Sequence, residues 1–224
     1  HKSKSLKKNS SMQEVKVAFL SNFTINGLPE ILKTKLHQEE IWVDYYNAPY
    51  NQYLQEIIDN HSGLYKKDPD LIFILLDVEK FLGDFFFFPY RYNLEQRKML
   101  VMEKIEEIEN VLAMLQERSK AKIVINDFLV PAYSSRGIIE SKQEWGLTES
   151  IHRINESLRN ICMNNNRLFT FPLNSFCSHH DSYPLAEPKI AYLTDMKISS
   201  DGLIGLASEY TSYFYPLASK SKKC

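Results

Sequence analysis

A chain of 224 residues is long enough to bury a full core without disulfide or metal staples, and it fits one large domain or two small ones. With 44% hydrophobic residues, 25% charged residues and a net charge of −1, it offers no electrostatic argument for binding nucleic acid or an anionic membrane. No apolar run approaches the ~20 residues of a membrane span. Its three cysteines (Cys162, Cys177 and Cys224), odd in number and without metal-ligand spacing, fit a reducing cytoplasm.

The opening HKSKSLKKNSS lacks the apolar core of a signal peptide, so residues 1–13 read as a disordered lead-in or linker, and Met12 could be a natural start. VKVAFLS (15–21) predicts a first strand. In NGLPEILKTKLHQ, Leu28, Ile31, Leu32 and Leu36 recur at helical spacing. IWVDYY (41–46) predicts strand two and YNQYLQEIIDN (50–60) a short helix. LIFILLD (71–77) is continuously apolar until its last residue, as expected of a central parallel strand covered on both faces. FLGDFFFFPYRY then sets four successive Phe on a polar-flanked loop, where they cannot all face one side of a strand. The longest helix is predicted over 94–118, with Leu100, Ile105, Ile108, Val111, Leu112 and Leu115 as its apolar stripe. KIVIND (122–127) is strand four, and residues 145–165 form the next helix, with Thr148 or Ser150 as its cap. RLFTFPL (167–173) is strand five, and residues 202–215 close the domain as a helix.

Alternating strands and helices around a buried central strand mean a three-layer α/β/α sandwich with a flavodoxin-like, five-stranded parallel sheet. Ligands of such sheets bind beyond the carboxyl ends of the strands, where strand order reverses. That points to Ser21 and Asn22, to residues 46–51 including Asn51, to Asp77, to Asn126 and Asp127, and to the segment around Asp195. No glycine loop follows a strand, which argues against nucleotide binding of that type.

Ser21 could serve as a nucleophile at the end of strand one, or its hydroxyl could simply bond the turn, as could Asn22. Asp77 and Asp127 are either site carboxylates or caps satisfied by backbone amides. Of six histidines (His1, His37, His61, His152, His179 and His180), the last two follow strand five on what reads as a polar loop at the crevice end, the best place for a general base. Cys177, His179, His180 and Asp181 lack a second ligand pair, so no metal site is predicted. Phe86 and Phe87 could cover a partner or line an apolar pocket, or be buried within this domain. Arg91 could meet a phosphate or carboxylate, with a structural ion pair as its plainer role.

Taken together, FLSNFTINGL, YNQYLQEIIDNHSGLY with DPDLIFILLD, FFFFPYR, VPAYSSRGIIESKQEWG and LTDMKISSDG resemble the amino-terminal domain of FkbH-like proteins, members of the haloacid dehalogenase (HAD) superfamily. The resemblance implies that residues 14–217 form a domain similar to SGNH/GDSL hydrolases. Residues 218–224 would begin a linker or the first strand of a HAD domain that lies outside this chain, and Mg²⁺ would belong only to that HAD domain. It further implies participation in transferring a glyceryl unit, derived from a phosphorylated three-carbon glycolytic intermediate, onto an acyl carrier protein for polyketide biosynthesis. The carrier protein and the adjacent HAD domain are the implied partners, in the cytoplasm, with no nucleic acid and no membrane.

Against the SGNH pattern, aligning on Thr24 puts Asn22 in the nucleophile slot, with Ser21 one residue early. The Gly-x-Asn-Asp segment after strand three keeps only Asp77 near its place. The terminal Asp-x-x-His becomes Asp195 and Ile198. Loss of both nucleophile and base predicts a non-hydrolytic domain acting as scaffold or docking platform. The alternative is an esterase or acyltransferase with a rearranged site, using Ser21 with His179 or His180.

Overall fold

The computed structural model describes residues 6–132, 134, 136–179 and 188–218. Among them, five strands form a single sheet: β1 (Gln13–Ser21), β2 (Ile41–Asn47), β3 (Leu71–Leu75), β4 (Lys122–Asn126) and β5 (Leu168–Phe171). All four pairings are parallel and the order is β2-β1-β3-β4-β5. This is the flavodoxin-like order, with its switch point between β1 and β3.

Period-two alternation divides the core into two layers. Ala18, Leu20, Ile72, Ile74, Ile123 and Ile125 face one cluster, while Val15, Val17, Phe19, Leu71, Phe73, Leu75 and Val124 face the other. The first layer is covered by α2 (Tyr53–Ile58), α3 (Gly63–Lys67), α4 (Val78–Leu82), α5 (Asp84–Phe87), α6 (Leu94–Arg118) and α7 (Leu147–Met163). The second lies under α1 (Leu28–Gln38) and α10 (Ser200–Tyr210). On that side Phe73 stacks at 5.4 Å on Phe19 and at 4.2 Å on Tyr210, joining the central strands to the last helix.

Local chemistry sets most helix boundaries. Asn93 and Gln96 close a capping box at the start of α6. That helix buries Arg97, Val101, Ile108, Leu112 and Leu115; Arg97 thus extends the predicted stripe with a charge. The predicted caps of α7 are replaced: Glu140 accepts the Thr148 amide at 3.0 Å, and the Ser150 hydroxyl turns back to the Trp145 carbonyl. The closing helix starts earlier than predicted, where Ser199 accepts the Gly202 amide at 3.0 Å, and it ends at Tyr210 before a 3-10 turn, Thr211–Tyr213.

Two segments read as loops are helical, and a further helix lies where no element was predicted. FLGDFFFFPYRY contains the end of α4, α5 and a 3-10 turn, Pro89–Arg91. Residues after β5 form α8 (Leu173–His179), and α9 (Pro188–Thr194) precedes the Asp195 segment. At the ends, Gln13 already pairs with Ile41 as the first residue of β1, and Ala218 is buried in the second layer. No helix among the described residues is long and apolar enough to cross a membrane.

Candidate functional site

The strand ends at the β1/β3 switch point are closed by side chains that imitate peptide groups. Asn22, buried at 2% exposure, accepts the Asp77 amide at 2.7 Å and donates to the Asp77 carbonyl at 3.2 Å. Asn126 does the same one strand over, accepting from the Leu76 amide at 2.7 Å and donating to the Leu76 carbonyl at 3.1 Å. Each amide therefore extends the sheet by one pseudo-rung on either side of β3, where a glycine loop would otherwise leave backbone groups open. The residue that the resemblance sets in the nucleophile slot is thus a carboxamide bonded to the main chain at both its oxygen and its nitrogen.

Ser21 is likewise committed. Its hydroxyl donates to the Phe23 carbonyl at 2.8 Å and accepts the Phe23 amide at 3.1 Å, a local turn bond. Beside it lies a shallow cleft of about 100 Å³ lined by Ser21, Phe23, Thr24, Ile25, Asn26, Asn47, Ala48 and Tyr50. Ordinary small-molecule sites run to roughly 300 Å³ or more, so this cleft fits a short group at most. Asn51, at φ 54, sits next to Tyr50 on the rim of this loop but does not line the cleft.

Asp77 caps α4, accepting the Lys80 amide at 3.3 Å, and burial raises its pKa against the pull of Lys197. Asp127 accepts the Asn174 amide at 3.0 Å near the start of α8, and burial raises its pKa too. Asp195, at φ 53, offers its carbonyl to the Thr24 amide at 3.0 Å. Its carboxylate accepts from the Tyr50 hydroxyl at 2.8 Å and from Lys80 at 2.5 Å, and Lys80 also bonds the Tyr50 hydroxyl. Lys197 reaches Glu79 at 2.6 Å and Asp77 at 3.5 Å. Burial works to lower the pKa of both lysines, but the bonds to Asp195 and Tyr50, and to Glu79, outweigh it and raise both. These are cations held in place, not bases.

Of the two predicted bases, His179 alone is described. His179 ends α8, is exposed, and bonds through Nδ1 to the Ser175 carbonyl of its own helix at 2.8 Å. His180 and Asp181 lie outside the described residues. Ile198, in the base slot, is 4% exposed and packed into the second core layer. The Cys177 thiol is pushed up to about 11 by burial, with Asp127 adding to it, which removes it as a nucleophile. No cluster of three metal-ligating side chains occurs among the described residues.

The aromatic loop divides by face. Phe85 is buried and Phe86 packs against the first layer, while Phe87 and Phe88 stand exposed. Arg91 forms no ion pair among the described residues; its guanidinium lies 3.8 Å over the Phe88 ring. Lys80 and Glu140 were not singled out in the sequence, and Tyr50 and Lys197 fell within predicted crevice segments without a role of their own. Lys80 carried one signal, a position three residues after a strand-end Asp, one helical turn above the crevice.

Residues 16–212 match the family profile described as FkbH, N-terminal domain. Among solved structures, the chain is similar to the N-terminal part of the protein BF1531 from Bacteroides fragilis, described as containing a phosphatase domain complexed with Mg. That likeness has a TM-score of 0.81 and 20% identity, over 96% of this chain and 55% of that one. The chain thus spans about half the length of that relative. A lipase from goat rumen metagenome matches with TM-score 0.62 and 9% identity, over 91% of this chain and 98% of that one. The acetylxylan esterase Axe2 from Geobacillus stearothermophilus matches with TM-score 0.55 and 12% identity, over 91% of this chain and 95% of that one. At these identities the likenesses establish the fold, which is that of SGNH hydrolases. No curated protein sequence matches.

Proposed function

The chain belongs to the family of FkbH N-terminal domains, and from that premise we propose that it is a non-hydrolytic SGNH-like domain that serves a larger protein as scaffold and docking platform. One observation carries the reading: the nucleophile slot holds Asn22, which spends its side-chain oxygen and nitrogen on the Asp77 backbone. The base slot agrees with it, since Ile198 is part of the core. A remnant of the triad would at best retain a small fraction of the full rate enhancement. In this proposal the domain holds a HAD partner domain, to which Mg²⁺ and phosphate removal belong, and presents a surface to an acyl carrier protein. The whole protein would load a glyceryl unit onto that carrier for a polyketide pathway in the cytoplasm.

The test is hydrolysis of short acyl esters and acyl thioesters by the purified chain and by Ser21→Ala. Both proteins are expected to match the buffer background. Turnover that Ser21→Ala abolishes would establish a rearranged esterase or acyltransferase instead.

A further inference from the structure

Away from the crevice floor, two loops following β3 and β4 are pinned together. The Tyr90 hydroxyl donates to Glu140, whose carboxylate also accepts the Ser134 hydroxyl at 2.7 Å and the Thr148 amide at 3.0 Å. The Arg136 guanidinium lies 4.3 Å from the Tyr90 ring centre and that of Arg97 lies 5.6 Å from it. Around this pin the surface is apolar. Phe87 is 54% exposed, Phe88 44%, Ile138 92% and Ile139 51%, all on the two joined turns.

Its charges are unbalanced. Arg91, Arg97 and Arg136 form no ion pair among the described residues. Arg97 is only 8% exposed, and its Nε has no hydrogen-bond partner. Arg97 acts on Glu149, whose carboxyl it helps to hold below the usual range, whereas Arg91 and Arg136 are exposed and carry the charge that a partner can meet. Two carboxylates of these turns are engaged elsewhere: Glu140 as above, and Glu149 with Arg153 and the Trp145 amide.

We propose that the surface formed by Phe87, Phe88, Ile138 and Ile139 with Arg91 and Arg136 docks a separate protein through an acidic amphipathic helix. This rests on the docking role proposed above and specifies the chemistry of the partner. The helix would lay its apolar stripe on the Phe and Ile side chains and set carboxylates against the guanidiniums, where bidentate pairing suits arginine. Exposed large apolar side chains flanked by arginine have the composition of an interface core.

The experiment measures binding of the intact chain, by calorimetry or fluorescence anisotropy, to a helical peptide with Leu on one face flanked by Glu. A Leu/Lys peptide and inorganic phosphate serve as comparisons. Only the Leu/Glu peptide is expected to bind, more weakly as salt rises, and about tenfold more weakly to Arg91→Glu/Arg136→Glu. Phe87→Ser/Ile138→Ser should cost a similar factor. These four side chains are on the surface, so circular dichroism can confirm that the variants fold. Equal binding of both peptides, no binding of either, or indifference to the arginine changes overturns the proposal. Phosphate binding that depends on the arginines but not on Phe87 would make this a small-anion site and also overturn it. So would self-association in sedimentation that Phe87→Ser/Ile138→Ser abolishes, which would assign the face to a second copy. If the peptide fails to bind while Ser21→Ala and wild type both stay at background in the ester assay, only this inference falls.

Discussion

Asparagine does in this domain what backbone does elsewhere. Asn22, Asn126 and Asn155 each form a two-point bond with the main chain of another segment, at Asp77, Leu76 and Phe128. Removing one leaves a buried amide and carbonyl unpaired, so Asn126→Ala should destabilise by about 2 kcal/mol, and Asn126→Asp should restore only the acceptor half. Urea denaturation monitored by circular dichroism measures both. Glu140 belongs to the same scale. Burial tends to raise its pKa, but the bonds from Tyr90, Ser134 and the Thr148 amide prevail and lower it below the usual carboxylate value of 4.5. A carboxyl with a depressed folded pKa contributes stability that is present above its unfolded pKa and is lost as pH falls through the folded one. Glu140→Gln should therefore be less stable than wild type at pH 7, and the gap should shrink as pH is lowered below about 4. Urea midpoints at both pH values check the sign.

Among elements, length decided what could be read. The 25 residues of α6 carry several turns of apolar periodicity, and residues 94–118 are helical as predicted. Its start is set by the Asn93–Gln96 capping box, so Asn93→Ala should cost about 1 kcal/mol in thermal denaturation. The four- to seven-residue helices α3, α4, α5, α8 and α9 escaped because one or two turns hold too little pattern to tell from a loop. That error placed His179 on a polar loop, whereas it terminates α8 and points its Nδ1 at its own helix. It also hid the division of the Phe run, since helical turns send Phe85 and Phe87 to opposite surroundings. Asp77 was legible as cap or site residue, and it is the cap.

For the whole molecule, the last segment is core before it is crevice. Ile198 shares the second layer with Phe23, Leu203 and Leu206, so restoring the hydrolase pattern there means burying an imidazole. Ile198→His should lose about 3 kcal/mol, seen as a fall in Tm of about 6–12 °C, and Asn22→Ser/Ile198→His should gain no ester hydrolysis. Calorimetry and the ester assay read the two halves of that expectation.

By itself the sequence determined the layered parallel sheet, because burial on both faces writes an apolar run and helices write a 3.6-residue period locally. It also showed that the Asn22 and Ile198 positions depart from the hydrolase pattern. Only tertiary structure decided what those residues do instead. The partners lie far apart in the chain: Asn22 meets Asp77 across 55 residues and Tyr50 meets Asp195 across 145. Arg136, from the loop after β4, meets the Tyr90 ring in the same way. Local periodicity carries no information about such pairings, which are chosen by where the finished sheet brings its strand ends and loops together.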